Sequence, residues 1–257
     1  MKNSMNDVAV TGEKTFITEK YLYASDKERL VDLVVKMAEE ALKSIVTSIE
    51  SLIEADDTKA RSVIERDDVI DAMEEKIDQE CLYTIAMRQP MREDLRFVYA
   101  VTKIITDIER IGDLSESIAE CSLKLSLKTE EIKESLYFSE SKPFSEEILS
   151  MCSQIETMFS KLIAAFVNED EVIAHEVMGM CALFNETGKK TVNAILTSRE
   201  NLSRNLEVFT NVIWILRYLD RVGGHLMNIA ERVCFIVTGV TSEFLKKKQK
   251  AVKTNNA

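Results

Sequence analysis

Turn-forming residues are scarce in this chain: its 257 residues include only 2 Pro and 7 Gly. A sheet of many strands needs turn chemistry at each hairpin, so an all-β fold is not expected. No stretch approaches the roughly 18 apolar residues of a membrane-spanning helix. The opening Met1-Lys-Asn-Ser-Met-Asn-Asp7 lacks the apolar core of a secretory signal, and a cytoplasmic location is expected. The five cysteines (Cys81, Cys121, Cys152, Cys181, Cys234) are odd in number and lack CxxC spacing. They are expected to be small core residues in a reducing compartment. With His175 and His225 the only histidines, a His-rich or Cys-rich zinc site is not expected. Positive charge is also in deficit. A net charge of -11 would be repelled by a phosphate backbone, so nucleic acid is excluded as a partner.

Catalytic signatures are missing as well. There is no phosphate-cradling glycine loop, nucleophile elbow or HExxH. Di-iron bundles use Glu-x-x-His pairs, yet Glu109, Glu116 and Glu176 are followed three residues on by Gly112, Ala119 and Gly179. No catalytic or cofactor-binding residue is assigned, and the protein is not expected to be an enzyme.

What the chain does have is helical periodicity, in a composition of 46% apolar and 30% charged residues. Ser25-Asp-Lys-Glu28 has capping-box spacing. Behind it Leu30, Val34, Met37, Ala41, Ile45, Ile49 and Leu52 recur at three and four. A second helix, after Ala55-Asp-Asp57, places Ala60, Val63, Ile70, Met73, Ile77, Cys81 and Ile85 on its apolar face and ends before Pro90. A third, from near Met91, carries Leu95, Val98, Val101, Ile105, Ile108, Ile111 and Ile118 toward Leu125. A charged segment closed by Pro143 follows. Three more helices are predicted: Ile148 to near Asn168, with Ile148, Cys152, Ile155, Phe159, Leu162 and Phe166 on its apolar face, about Asp170 to Leu196, and roughly Leu202 to Gly239. The expected fold is all-α, two repeated antiparallel three-helix bundles packed end to end or side by side. Residues 1–24 are read as a flexible leader, 25–128 as the first repeat and 129–143 as a linker. Residues 144–241 are the second repeat, and 242–257 a basic tail around Lys246-Lys-Lys-Gln-Lys250.

The repeat is visible in the residues. Asp107-Ile-Glu-Arg-Ile-Gly-Asp-Leu-Ser-Glu-Ser-Ile-Ala-Glu120 aligns without a gap on Tyr218-Leu-Asp-Arg-Val-Gly-Gly-His-Leu-Met-Asn-Ile-Ala-Glu231, pairing Arg110 with Arg221, Gly112 with Gly223 and Glu120 with Glu231. The two copies differ in their acids. Residues spaced i, i+4, i+7 and i+11 share one helix face. The third helix has Glu109, Asp113, Glu116 and Glu120 at that spacing; the second has Asp67, Asp71, Glu74 and Asp78. Like charges at i,i+4 destabilise a helix by about 0.2–0.5 kcal/mol each, a cost that interleaved cations would avoid. Repeated carboxylates suit a multivalent cation with oxygen preference, such as Mg, Ca or Mn, and clustered carboxylates also hold iron. A shift of 111 on the third helix leaves only Asp220 and Glu231, and a shift of 114 on the second gives Cys181, Asn185, Gly188 and Val192. A cation is therefore expected at Asp67, Asp71, Glu74, Glu109, Asp113 and Glu116, with Asp220 and Glu231 a remnant. Fe, Mn, Mg and Zn all remain open. The bland alternative is a solvated acidic face.

With these residues in hand, the chain resembles the PhoU family of phosphate-uptake regulators. The resemblance rests on Asp107, Glu109, Arg110, Ile111, Gly112, Asp113, Ile118 and Ala119 in the first copy, and on Arg88-Gln-Pro90 and Asp94-Leu-Arg96 upstream. Asp220, Arg221, Gly223, His225, Asn228, Ile229 and Ala230 carry it in the second. It covers about residues 27–240. It implies two three-helix repeats, metal clusters on acidic surfaces and frequently a homodimer. It also implies a non-enzymatic role: restraining a phosphate ABC transporter through its ATPase and relaying phosphate sufficiency to a sensor histidine kinase. Leu114 and Ser117 depart from the first motif's His and Asn, and Gly224 from the second motif's distal acid; the missing acid argues against a second metal site. The alternatives are a metal-free helical scaffold whose acidic face docks a basic partner, and an accessory to a sodium–phosphate cotransporter.

Overall fold

The computed structural model describes the backbone of residues 4–126, 143–197 and 206–241, with side chains over 24–126, 146–193 and 210–241. Six helices make up its regular structure: α1 (Ser4–Glu54), α2 (Asp57–Arg88), α3 (Glu93–Ser126), α4 (Pro143–Asn168), α5 (Glu171–Thr197) and α6 (Leu206–Thr238). No strand occurs among the described residues. Most of the expected linker and the basic tail lie outside them.

The predicted start of the first helix is corrected. Ser25 lies inside α1, which is 51 residues long and begins at Ser4. A capping box needs orphan N–H groups, and a helix that continues upstream leaves none at that point. Asp26 serves a different purpose: its Oδ2 accepts from Arg88 Nε at 2.7 Å, which ties the end of α2 to α1.

The two halves turn the same corner by the same chemistry, 114 residues apart. Ala55 (φ 54°) and Glu169 (φ 49°) each take the left-handed conformation. Asp56 and Asp170 then cap α2 and α5. Asp56 Oδ1 accepts from Thr58 N (2.8 Å) and Lys59 N (3.2 Å), and Asp170 Oδ1 from Val172 N (2.8 Å) and Ile173 N (3.1 Å). Such caps are worth about 1 kcal/mol each. Even the backbone bonds match, Asp56 N to Ser51 O against Asp170 N to Ala165 O.

Packing decides between the two expected arrangements. α3 and α6 lie against each other as well as against their own bundles, and α1 touches α4. The halves are thus side by side, and one continuous core runs through both. Every α1 and α4 residue placed on an apolar face is buried, from Leu30 to Leu52 and from Ile148 to Phe166. Ile85 and Leu95 are exceptions at 37% and 43% exposed. They flank the α2–α3 turn, where Thr84 and Phe97 take the buried positions instead. All five cysteines are buried and reduced.

Polar contacts across the α3–α6 seam lock the halves together. The Arg96 guanidinium lies over Gly239 and donates to Ile236 O at 3.4 Å, serving a carbonyl in the last turn of α6. Further along, Asp107 Oδ1 meets His225 Nδ1 at 2.8 Å and accepts from Asn228 Nδ2 at 3.0 Å. His225 is thus a partner across the seam.

Candidate metal centre

α2 and α3 run alongside each other, and the glycine at position 112 lets them close. A Cβ there would lie 3.0 Å from Asp67 Oδ1 and 3.2 Å from Ile70 Cδ1. This contact sets the two acid stripes face to face. One carboxylate oxygen from each of Asp67, Asp71 and Asp113 falls within 4.8 Å of the others, the only such trio of donors among the described residues.

Crowding shows in their protonation. Burial, then Glu116, Asp71, Asp113 and Asp68, push the Asp67 carboxyl up to about 6. Burial and Asp113 raise Glu109 to about 7, with Glu74 and Asp71 adding to the rise and Arg110 opposing it. Glu116 is also raised, by burial first and then by Glu120 and Asp113. Asp67 Oδ1 is buried without a hydrogen-bond partner, and Glu109 Oε2, which also lacks one, has the Arg110 guanidinium 3.3 Å away as an ion pair. Orphan buried carboxylate oxygens are costly and are what a bound cation would satisfy. By that measure Asp67 fits a divalent cation as a direct donor, and the exposed Asp71 and the half-buried Asp113 each bring one oxygen within reach of the same ion. Glu74, Glu109 and Glu116 surround them as coupled acids. Glu74 also accepts from Thr106 Oγ1 at 3.0 Å.

Three participants escaped the sequence reading. Asp68 adds to the repulsion on Asp67 and Glu116; it lies one residue off the stripe, and only its adjacency signalled it. Thr106 gave no signal. Arg110 corrects the expectation that no cation interleaves the stripe: it sits 2.7 Å from Asp113 Oδ2 and 3.3 Å from Glu109 Oε2. At 52% exposure it compensates the outer edge of the cluster and leaves Asp67 untouched.

The second half keeps the frame without the acids. Gly223 faces Phe184 and Asn185, a Cβ falling 2.6 Å from Phe184 Cδ1 and from Asn185 Oδ1, as Gly112 faces Ile70 and Asp67. Asp220 stands where Glu109 stands in the first half, but opposite Gly188. Burial raises its pKa, while Lys189 and Arg217 lower it. Glu231 lies three turns further along α6 and acts on Cys234 instead. Asp220 and Glu231 are therefore not gathered into one cluster.

The PhoU domain model matches residues 34–122 and 148–233, one match per half and most of the chain in total. The chain belongs to the PhoU family. Among curated relatives, the phosphate-specific transport system accessory protein PhoU homolog of Pseudomonas aeruginosa is 33% identical over 197 residues, 77% of each chain. A homolog from Thermotoga maritima, of the same description, is 32% identical over 232 residues, 90% of this chain and 93% of its own. The crystal structure of PhoU from Pseudomonas aeruginosa superposes with a TM-score of 0.76 at 30% identity, covering 85% of this chain and 100% of that one. The six-helix, two-repeat architecture is thus that of PhoU proteins. No helix among the described residues is long and apolar enough to cross a membrane.

Proposed function

We propose that this PhoU-family chain is a non-enzymatic, cytoplasmic regulator of phosphate uptake and phosphate signalling. It acts as a homodimer through contacts with the ATPase of a phosphate ABC transporter, a sensor histidine kinase, or both. Family membership supports the phosphate role. The observation that carries a cation-dependent version of it is the buried, unpartnered Asp67 Oδ1 at the meeting point of Asp71 and Asp113. A divalent or iron-type cation held there would supply the positive charge that α2 and α3 lack between them. The chain's own residues do the rest: Gly112 sets the approach of the helices, and Arg110 steadies the outer carboxylates.

One observation favours a second reading. Arg110 already pairs Glu109 and Asp113, as it would in a metal-free scaffold presenting the acidic face to a basic partner. The deciding experiment measures phosphate accumulation in cells lacking the protein, complemented with wild type or with the E109Q/D113N pair. Over-accumulation corrected only by wild type supports regulation through the acid cluster. Correction by both variants keeps the regulator and removes the cation. Normal accumulation in the deletion strain refutes the phosphate role.

A further inference from the structure

Outside the acid cluster, the second half brings together a different set of donors. Cys234 on α6 and His175 on α5 meet with Sγ 3.5 Å from Nδ1. Glu171 precedes His175 by four residues and Glu231 precedes Cys234 by three, so each acid shares a helix face with its neighbour. Burial holds the Cys234 thiol above its ordinary pKa, and Glu171 and Glu231 add to the rise. That environment argues against an activated nucleophile, which needs positive charge nearby to favour the thiolate. A thiol and an imidazole in contact, each with an acid on its own helix face, are a donor set that zinc accepts.

The spacing supports the same conclusion. Zinc bonds of about 2.3 Å to sulfur and 2.0–2.1 Å to nitrogen, at a tetrahedral angle, separate the two donors by about 3.6 Å. The pair, joined by a hydrogen bond between Sγ and Nδ1 at 3.5 Å, already stands at that bite distance. Among the described residues only Asp67, Asp71 and Asp113 have three donors within 4.8 Å of one another, so a third ligand requires Glu171 or Glu231 to turn inward. His175 is exposed, which leaves a path from solvent to the buried sulfur.

We propose that Cys234 and His175, completed by Glu171 or Glu231, form a thiolate–imidazole zinc site that clips the start of α5 to the end of α6. Zinc binding replaces the thiol proton, which leaves to solvent. The site is chemically distinct from the all-oxygen cluster of the first half, and neither depends on the other.

The test uses the full chain, stripped with chelator and titrated with Co2+ as a spectroscopic stand-in for Zn2+. Thiolate ligation gives a sulfur-to-cobalt charge-transfer band in the near ultraviolet that carboxylate ligation cannot give. Wild type and the E109Q/D113N variant are expected to develop the band at about one equivalent, and added Zn2+ to erase it. C234S should abolish the band, and H175A, a change at an exposed side chain, should weaken Co2+ binding about tenfold or more. C152S, altering another buried thiol, should leave it intact. Absence of the band in wild type overturns the proposal. So does a band that survives C234S, or, should C234S fail to fold, one unchanged in H175A.

Discussion

Replacing Glu109 by Gln should change stability in opposite directions with and without metal. In the chelated protein, Glu109 stays protonated to about pH 7 when folded, against an ordinary 4.5. Its folded-state pKa is raised, so the folded state is favoured below pH 4.5 and loses that advantage as pH rises through 7. A rise of that size is worth at most about 3 kcal/mol. Arg110, half exposed beside it, lets solvent screen the site, which reduces the effect to about 1–2 kcal/mol. E109Q removes the ionisation, so in chelator at pH 8 it should be about 1–2 kcal/mol more stable than wild type, or about 2–6 °C in Tm. At pH 4.5 the two should coincide. With Mn2+ at about 100 times its Kd, wild type gains about 2.7 kcal/mol, and E109Q should gain much less. Urea denaturation followed by circular dichroism, in chelator at both pH values and then with Mn2+, reads all three conditions. An E109Q protein less stable than wild type in chelator at pH 8 would refute the reasoning, as would a difference that ignores pH.

Two adjacent glycines should respond oppositely to alanine. Gly224 has nothing within 4 Å of a Cβ, so G224A should stabilise α6 by about 0.5–1 kcal/mol. G223A should cost about 1–3 kcal/mol by forcing Phe184 and Asn185 away; thermal melts of the pair check both signs. Mn2+ affinity measured calorimetrically should fall about tenfold or more from pH 8 to pH 6, because Asp67 (about 6) and Glu109 (about 7) must shed protons to receive the ion. An affinity that is flat across this range would dissociate the acid cluster from metal binding. D107A should cost about 1–3 kcal/mol, since it strips His225 and Asn228 of their shared acceptor, and a double-mutant cycle with H225A should show strong coupling.

Helix count, the α1 and α4 core faces and the corner at Asp56 could be read from residue spacing, because each is a local pattern. The start of α1 could not: Ser25 and Glu28 have the right types for a cap, and only the helix upstream withdraws their role. That the two acid stripes lie on neighbouring helices was legible because a short turn joins α2 to α3. How closely they approach depends on the missing side chain at Gly112. Arg110 lay in plain view, one residue off the stripe, but its reach to both Glu109 and Asp113 is a matter of rotamer. The seam between halves was hidden for a different reason. Asp107, His225 and Asn228 are 118 to 121 positions apart, and no periodicity links residues on two different helices.

The contact of α3 with α6 bears on how such a chain could have arisen. A single three-helix unit would leave one long apolar helix face bare, so a one-repeat ancestor would have had to pair with a second copy of itself. In this chain that pairing is internal, and each half serves one side of it. The triad of Asp107, His225 and Asn228 is therefore made once. The reciprocal positions hold Tyr218, Leu114 and Ser117, which cannot repeat it, so the two sides of the seam are unlike although the helices that form it are copies.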